Sequence, residues 1–413
     1  MKIAFSTFDH ATDIGGISSW LQRLLPRLQA AGLTVEVHVL SFDGRPGANC
    51  AAFERLGIPF RWQPWDGDTR KSVRRCLTMI QAGQPDVYVT NSMPQAYYAG
   101  GIARRQGLAT VGVLHSDHAF TWGVLKQFVS GPADFRLSAV VAVSKFLAAA
   151  TKEVAGINLP VRCIGCGVPV AERSAQPAEK VFRIVYIGRL EEEAKCIGEV
   201  TLALCAAARD NPAVEAWLVG DGPERAKVEQ IIHASGVAAR VKLLGRVELA
   251  NVYPILSECQ ALVLLSDYEG LPVSVLEAMS VGVVPVCLDV RSGIREAIEP
   301  GVNGLIVRDR NEDFLAAIRT LHQDPELWAK LSANARTTIR NKFSDEFCAA
   351  AWVELLRSLD GRSPIGGIKV PFFLRLPPPN SDLGSEDNRC SVWQRAWRGF
   401  RRTGGHYKRK FIG

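Results

Sequence analysis

The sequence predicts an α/β protein: two doubly wound parallel sheets facing one cleft, followed by a basic C-terminal tail. Three observations carry this. Short apolar runs alternate with amphipathic helical stretches through most of the chain. The rhythm breaks once, near the middle, and then restarts. At 413 residues the chain is also too long for one ordinary core.

The elements follow in order. Lys2–Phe8 reads as a strand, and Ile17–Ala31 as a helix ended by Gly32. Val35–Leu40 is a second strand. Asp86–Thr90, Thr110–Leu114 and Ala139–Val143 are further strands, and Ser144 is placed to cap a helix over Lys145–Val154. Around Leu159–Pro177, three prolines with Gly165 and Gly167 mark a connector. The rhythm then restarts with strands at Phe182–Ile187, Ala216–Val219, Val241–Leu244, Ala261–Leu265 and Val284–Cys287. Glu346–Leu359 is a last helix, with Phe347, Ala350, Ala351 and Leu355 as its expected docking stripe. Beyond it, Gly-, Pro- and Ser-rich sequence reads as linker. The predicted organisation is one Rossmann-like domain over 1–165, a second over 166–343, a crossover helix over 344–360, and linker plus tail over 361–413.

Composition excludes several classes. Apolar residues are 47% and charged residues 22%, which is globular rather than disordered or coiled-coil. No apolar run approaches the roughly 18 residues of a spanning helix. The N-terminus lacks the pattern of a signal peptide, so a cytoplasmic location is expected. The ten cysteines are scattered, many inside apolar runs, and read as reduced thiols. Cys163 and Cys166 form a lone CxxC without further ligands at zinc spacing. The net charge of +7 is concentrated at the end: residues 389–413 carry eight Lys and Arg and no acid. The rest of the chain is close to neutral. Such a tail points to an anionic partner, a membrane surface or nucleic acid. On a helical wheel, Trp393, Trp397 and Phe400 fall on one side, with Arg395, Arg398, Arg401 and Arg402 on the other, the pattern of an interfacial helix. No nucleic-acid module accompanies it, and none is expected to be bound.

In open α/β sheets the ligand sits at the carboxyl ends of the strands. No G-x-G-x-x-G follows either first strand and no Gly-Lys dipeptide exists, which argues against a dinucleotide and against a Walker loop. Gly15-Gly16-Ile17-Ser18 opens a helix after the first strand. It suits close backbone approach and an anion at the helix N-terminus, or is a plain flexible turn. Arg189 and Lys195 follow the first strand of the second half. They suit a diphosphate, and a surface cluster with Glu191, Glu192 and Glu193 is the alternative. Glu269 and Glu277 stand eight apart around Gly270, Leu271 and Pro272, with a helix expected to begin near Pro272. Two acceptors at different depths suit sugar and ribose hydroxyls. His115, Asp117 and His118 form a weak metal candidate, and no bound metal is expected there.

Eight motifs in order resemble the group 1 (family 4) glycosyltransferases over roughly residues 1–358. They are Gly15-Gly16-Ile17-Ser18, His115-Ser116-Asp117, Val143-Ser144-Lys145, Gly167-Val168-Pro169, Gly188-Arg189-Leu190 with Lys195, Val219-Gly220-Asp221-Gly222-Pro223-Glu224, Leu244-Gly245-Arg246-Val247 and Glu269-x7-Glu277. The resemblance implies the GT-B fold, with the N-terminal domain on the acceptor side. It implies transfer of a sugar from a nucleotide sugar, with retention and without metal, to a lipid-linked or polysaccharide acceptor. The nucleotide sugar is a co-substrate, and no cofactor is expected.

By the same resemblance, Arg189 and Lys195 bind the donor diphosphate. Glu277 holds the ribose, and Glu269 with Gly270 and Leu271 holds the transferred sugar. His115 lies near the reacting sugar, and Gly15 and Gly16 shape the loop over the phosphates or acceptor. Two positions depart from the family: Cys166 where many members have Asn, and Cys196 where many have Gly after the Lys. A nucleotide-sugar epimerase of the same shape, or a non-catalytic nucleotide-sugar-binding scaffold, are the alternatives. The expected setting is the cytoplasm, at the inner face of the membrane through residues 389–413.

Overall fold

The computed structural model describes residues 1–10, 15–65, 67–156, 159–290, 292–359, 364, 366–377 and 381–383. Its N-terminal half alternates β1 (Lys2–Asp9), α1 (Gly16–Ala30), β2 (Thr34–Ser41), α2 (Ala48–Arg55), β3 (Phe60–Pro64), α3 (Thr69–Gly83), β4 (Val87–Asn91), α4 (Pro94–Arg104), β5 (Ala109–Leu114), α5 (Ala119–Val124), β6 (Ala139–Ala142), α6 (Lys145–Ala155) and β7 (Val161–Cys163). The seven strands form one parallel sheet in the order β3-β2-β1-β4-β5-β6-β7. Val87–Asn91 and Ala139–Ala142 are buried at every position, because helices cover both faces.

The second half repeats the plan with β8 (Phe182–Ile187), α7 (Ile197–Asp210), β9 (Val214–Val219), α8 (Arg225–Ala234), β10 (Val241–Gly245), α9 (Leu249–Ser257), β11 (Ala261–Leu264), α10 (Val273–Val281), β12 (Val284–Leu288), α11 (Ile294–Ala297), β13 (Leu305–Val307), α12 (Glu312–Gln323), α13 (Pro325–Thr338) and α14 (Asp345–Ser358). Its six parallel strands are ordered β10-β9-β8-β11-β12-β13. Strand order reverses between β1 and β4 in the first sheet and between β8 and β11 in the second. Loops leaving neighbouring strands at such a point diverge to opposite faces and leave a crevice.

Three strands were not foreseen. β3 (Phe-Arg-Trp-Gln-Pro) carries two exposed residues and ends in proline, so it lacks an apolar run. β7 and β13 are three residues each and draw their stability from the neighbour they extend.

The chain crosses between the halves twice, and the crossings pair. Val168 donates to the Phe343 carbonyl at 3.0 Å, and Asp345 donates to the Val168 carbonyl at 2.9 Å. Ser344 then caps α14, which lies against α1 of the N-terminal half. The buried face of α14 is Cys348, Ala349, Trp352, Leu355 and Leu356. This corrects the expected stripe. Phe347 is 55% exposed, Ala350 is exposed and Ala351 is half-buried. Arg27 holds Asp345 at 2.9 Å and Glu346 at 3.3 Å, and Trp352 packs on Phe5 and Trp20. Those contacts set the rotation of the helix. After α14, residues 366–377 and 381–383 lie on the N-terminal half, with Ile368 and Leu383 buried. The amphipathic tail over 389–413 lies outside the described residues.

Candidate functional site

The site is built from loops at the two switch points. After β8, Gly188-Arg189-Leu190 turns under the Gly220-Asp221-Gly222 loop that follows β9. Leu190 donates to the Asp221 carbonyl at 3.0 Å, and Glu224 donates to the Leu190 carbonyl at 3.1 Å. Gly220 has φ +147°, and a Cβ there would lie 1.8 Å from the Gly188 carbonyl oxygen, so only glycine fits. The Tyr186 hydroxyl donates to the Arg189 carbonyl at 2.8 Å and stiffens the same turn. The Arg189 side chain is 61% exposed, with Glu191 at 3.5 Å.

Lys195 lies deeper. Its ammonium is paired with Glu269, and both side chains are mostly buried. The loops after β8 and β11 are thereby joined across the reversal of strand order. Cys196 follows at φ +47°, in the left-handed region where glycine is the easy choice. Its thiol donates to Asp267 Oδ2 at 3.0 Å. Burial, reinforced by that carboxylate, pushes the thiol pKa up to about 11. Cys196 therefore takes a backbone that glycine adopts easily and adds a tie to Asp267. Cys166, the other departure, is buried, and burial pushes its thiol up to about 12.

The N-terminal half meets this loop through His115. Ser116 and Gly270 form an antiparallel bridge, and the Gly270 carbonyl also accepts from Gly293 N–H at 2.6 Å. Glu269 thus follows into a segment seated against the His115 backbone. The His115 Nε2 is 2.7 Å from Asn91 Oδ1, which also accepts from the Ser92 hydroxyl at 2.9 Å. With that oxygen as acceptor, the imidazole carries its proton on Nε2 and offers Nδ1 as an acceptor. Trp20 packs edge-on against the ring, 5.0 Å between centroids.

Burial, with His118 nearby, pushes the His115 pKa down to about 3, so the ring is neutral at working pH. The unfolded chain takes up this proton near the ordinary value of about 6.5. Between those values only the unfolded state gains the proton, so stability falls as pH falls. His115→Gln removes this effect. From about pH 7 to about pH 5 the wild type is expected to lose about 2 kcal/mol more than the variant. Urea unfolding at both pH values checks this, and equal losses would show that His115 does not titrate as its burial requires.

Gly15 and Gly16 open α1, and a Cβ on Gly16 would lie 3.7 Å from Val273 at the start of α10. Leu271 is buried, only 4% exposed. Glu277 stands one turn into α10, as expected, but it does not face an open cleft. It is paired with Arg23 of α1, and both side chains are buried. A second tie is Glu296, which accepts from the backbone N–H groups of Lys145 and Phe146 at 2.8 and 3.1 Å. The structure therefore brings Lys195, Glu269, Gly270 and His115 together. Arg189 is largely exposed, and Glu277 is buried on α10 against Arg23 of α1.

Asn91 and Arg23 were missed. Asn91 ends an apolar strand and carries no motif. Arg23 lies mid-helix, where an arginine reads as solvent-facing. Among the described residues no group of three or more His, Cys, Asp or Glu is arranged to hold a metal ion. The chain's Asp-x-Asp, Asp66-Gly67-Asp68, comes just before α3 in the sequence, and Asp68 caps that helix through the Lys71 N–H at 3.0 Å.

Comparison with known proteins adds the following. Residues 170–338 match the model of glycosyl transferases group 1, and residues 14–172 match that of glycosyltransferase family 4. The lipopolysaccharide core biosynthesis glycosyltransferase LpsD of Rhizobium meliloti (strain 1021) is 32% identical over 189 residues, 45% of this chain and 52% of that protein. The alpha-D-kanosaminyltransferase of Streptomyces kanamyceticus is 31% identical over 164 residues, 39% of this chain and 42% of that protein. The matches span about half the length of these relatives. Anabaena HepE, solved in complex with UDP and glucose, superposes with a TM-score of 0.73 at 22% identity, over 87% of this chain and 100% of that one.

Proposed function

The chain belongs to the group 1 glycosyltransferases and has the GT-B fold, and on that premise we propose that it transfers a glycosyl group from a nucleotide-sugar donor. One observation carries the reading. The loops after β8 and β11 deliver Lys195 and Glu269 to one point beside the His115 backbone, where the two sheets face each other. A cation, a carboxylate and a neutral imidazole at the switch point suit the breaking of a bond to a diphosphate.

The proposed chemistry is retaining, through an oxocarbenium-like transition state. Lys195 and Arg189 stabilise the charge that builds on the departing nucleoside diphosphate. Lys195 is engaged by Glu269, so donor binding has to share or release that contact. Glu269, Gly270 and Leu271 then address the transferred sugar, and Glu277 addresses the ribose once Arg23 yields. Gly15 and Gly16 line the opposing loop. The proposed acceptor is lipid-linked or polysaccharide, in keeping with LpsD being a glycosyltransferase of lipopolysaccharide core biosynthesis. The proposed setting is the cytoplasmic side of the membrane. Among the described residues no helix is long and apolar enough to cross a membrane.

Thermal stabilisation by a panel of UDP-, GDP-, ADP- and TDP-sugars tests the donor, since a ligand of the folded state raises the melting point. No stabilisation by any of them would sink the reading. The diphosphate charge is assigned here to Arg189 and Lys195, so transfer is expected to persist in excess EDTA. Activity that disappears with EDTA and returns with manganese or magnesium would overturn the metal-independent mechanism.

A further inference from the structure

Outside the cleft, the segment after α14 builds a surface of its own on the N-terminal half. Its backbone is pinned. Gln106 exchanges hydrogen bonds with the Lys369 backbone at 3.0 and 2.8 Å. The Arg74 guanidinium donates to the carbonyls of Pro371 and Phe372, each at 2.9 Å. Further along, Lys126 pairs with Asp382 at 2.9 Å, and Leu383 is buried against α5. Between these anchors Phe372 and Phe373 stand 83% and 80% exposed, edge to face with centroids 4.8 Å apart. The next most exposed large apolar side chain among the described residues, Leu202, reaches 57%.

The surroundings are cationic. Arg70 and Lys71 in the first turn of α3 and Arg375 on the strap line the same groove as the two phenylalanines. Arg70 and Arg375 make no ion pair among the described residues. Among the described residues lining the groove the acid is Asp68, which accepts the Lys71 N–H. A hydrogen-bonded strap that holds two aromatic rings outward in water costs free energy unless something apolar receives them.

We propose that this strap is a docking surface for an anionic lipid bilayer. Phe372 and Phe373 enter the boundary between headgroups and acyl chains, and Arg70, Lys71 and Arg375 meet lipid phosphates. Two adjacent rings ringed by cations match a charged interface with a thin apolar layer beneath it. The chain beyond the strap has the same two ingredients: Trp393, Trp397 and Phe400 among the eight basic residues of 389–413. The inference does not depend on the donor reading, because none of these residues lies in the cleft.

The test is flotation of the full chain with vesicles of phosphatidylcholine, alone or mixed with phosphatidylglycerol. The wild type is expected to float with the mixed vesicles at low salt and not with phosphatidylcholine alone. F372S/F373S is expected to lower the partition coefficient at least about ten-fold, since two interfacial aromatics are lost. Arg70→Gln with Arg375→Gln is expected to lower it about ten-fold and to flatten its salt dependence. Both sets lie at the surface, so melting points should be unchanged, and donor consumption with a water-soluble acceptor should be unchanged too. Three results would overturn the proposal: no flotation of the wild type, equal flotation of F372S/F373S and wild type, or a wild-type dimer in light scattering that F372S/F373S dissolves.

Discussion

Lys195→Ala and Arg189→Ala are each expected to lower turnover at saturating donor by about a hundred-fold or more, because each removes a cation from the developing diphosphate charge. The two variants should differ in stability. Arg189 is 61% exposed and its pair with Glu191 is loose, so its loss leaves the melting point alone. Lys195 is the partner of a mostly buried Glu269, and Lys195→Ala leaves that carboxylate without its partner. A bystander role for Lys195, as mere partner of Glu269, makes a different forecast. Removing both charges, as Lys195→Met with Glu269→Gln, would then recover stability and leave turnover equal to that of Glu269→Gln alone. On the donor-cation role it recovers stability but turnover falls well below that of Glu269→Gln. Near-normal turnover in either alanine variant, with the donor saturating, would remove the diphosphate assignment.

The fold was legible because parallel strands covered on both faces are written as unbroken apolar runs. Phe182–Ile187 was read to the residue, and the helix cap at Ser144 stands where a short polar residue precedes apolar periodicity. What failed was phase and edge. In α14, Phe347 through Val353 holds apolar residues on every side, so periodicity alone cannot choose the face. The choice is made by Trp352 packing on Phe5 and Trp20 and by Arg27 gripping Asp345, all long-range contacts. β7 and β13 escaped for the related reason that so short a strand is stabilised by its neighbour rather than by its own sequence, and β3 because two exposed residues and a final proline leave it no apolar run.

The site divides the same way. Lys195 and Glu269 belong to local motifs that end strands, and their meeting follows from strand order. The pairing of Arg23 with Glu277 joins residues 254 positions apart. It leaves no mark in either local pattern, because arginine at that place in an amphipathic helix is ordinary. Cys196 shows the converse. The sequence alone made it a departure from glycine, whereas the left-handed backbone and the bond to Asp267 show a cysteine holding the turn that glycine would.

Gly270→Ala is expected to cost about a hundred-fold in turnover without touching any charged group, because a reacting geometry displaced by about 1 Å loses that much. The cause is steric and cannot be relieved by a rotamer, since Cβ is fixed by the backbone. An added Cβ would lie 1.8 Å from the His115 carbonyl oxygen, 2.8 Å from its carbon and 2.9 Å from Ser116 Cα. Either the loop carrying Glu269 or the loop carrying His115 has to retreat, and the Ser116–Gly270 bridge breaks. Gly270 is also held from behind by Gly293, so the strain passes into the second half as well. Gly16→Ala makes the informative contrast. Its Cβ meets Val273 at an ordinary 3.7 Å, so the protein itself tolerates it. A loss of donor affinity in Gly16→Ala would report on the ligand, whereas Gly270→Ala should lose turnover while thermal stabilisation by the nucleoside diphosphate is largely kept. Wild-type turnover in Gly270→Ala would mean that the contact between the two halves at His115 is not part of the working site.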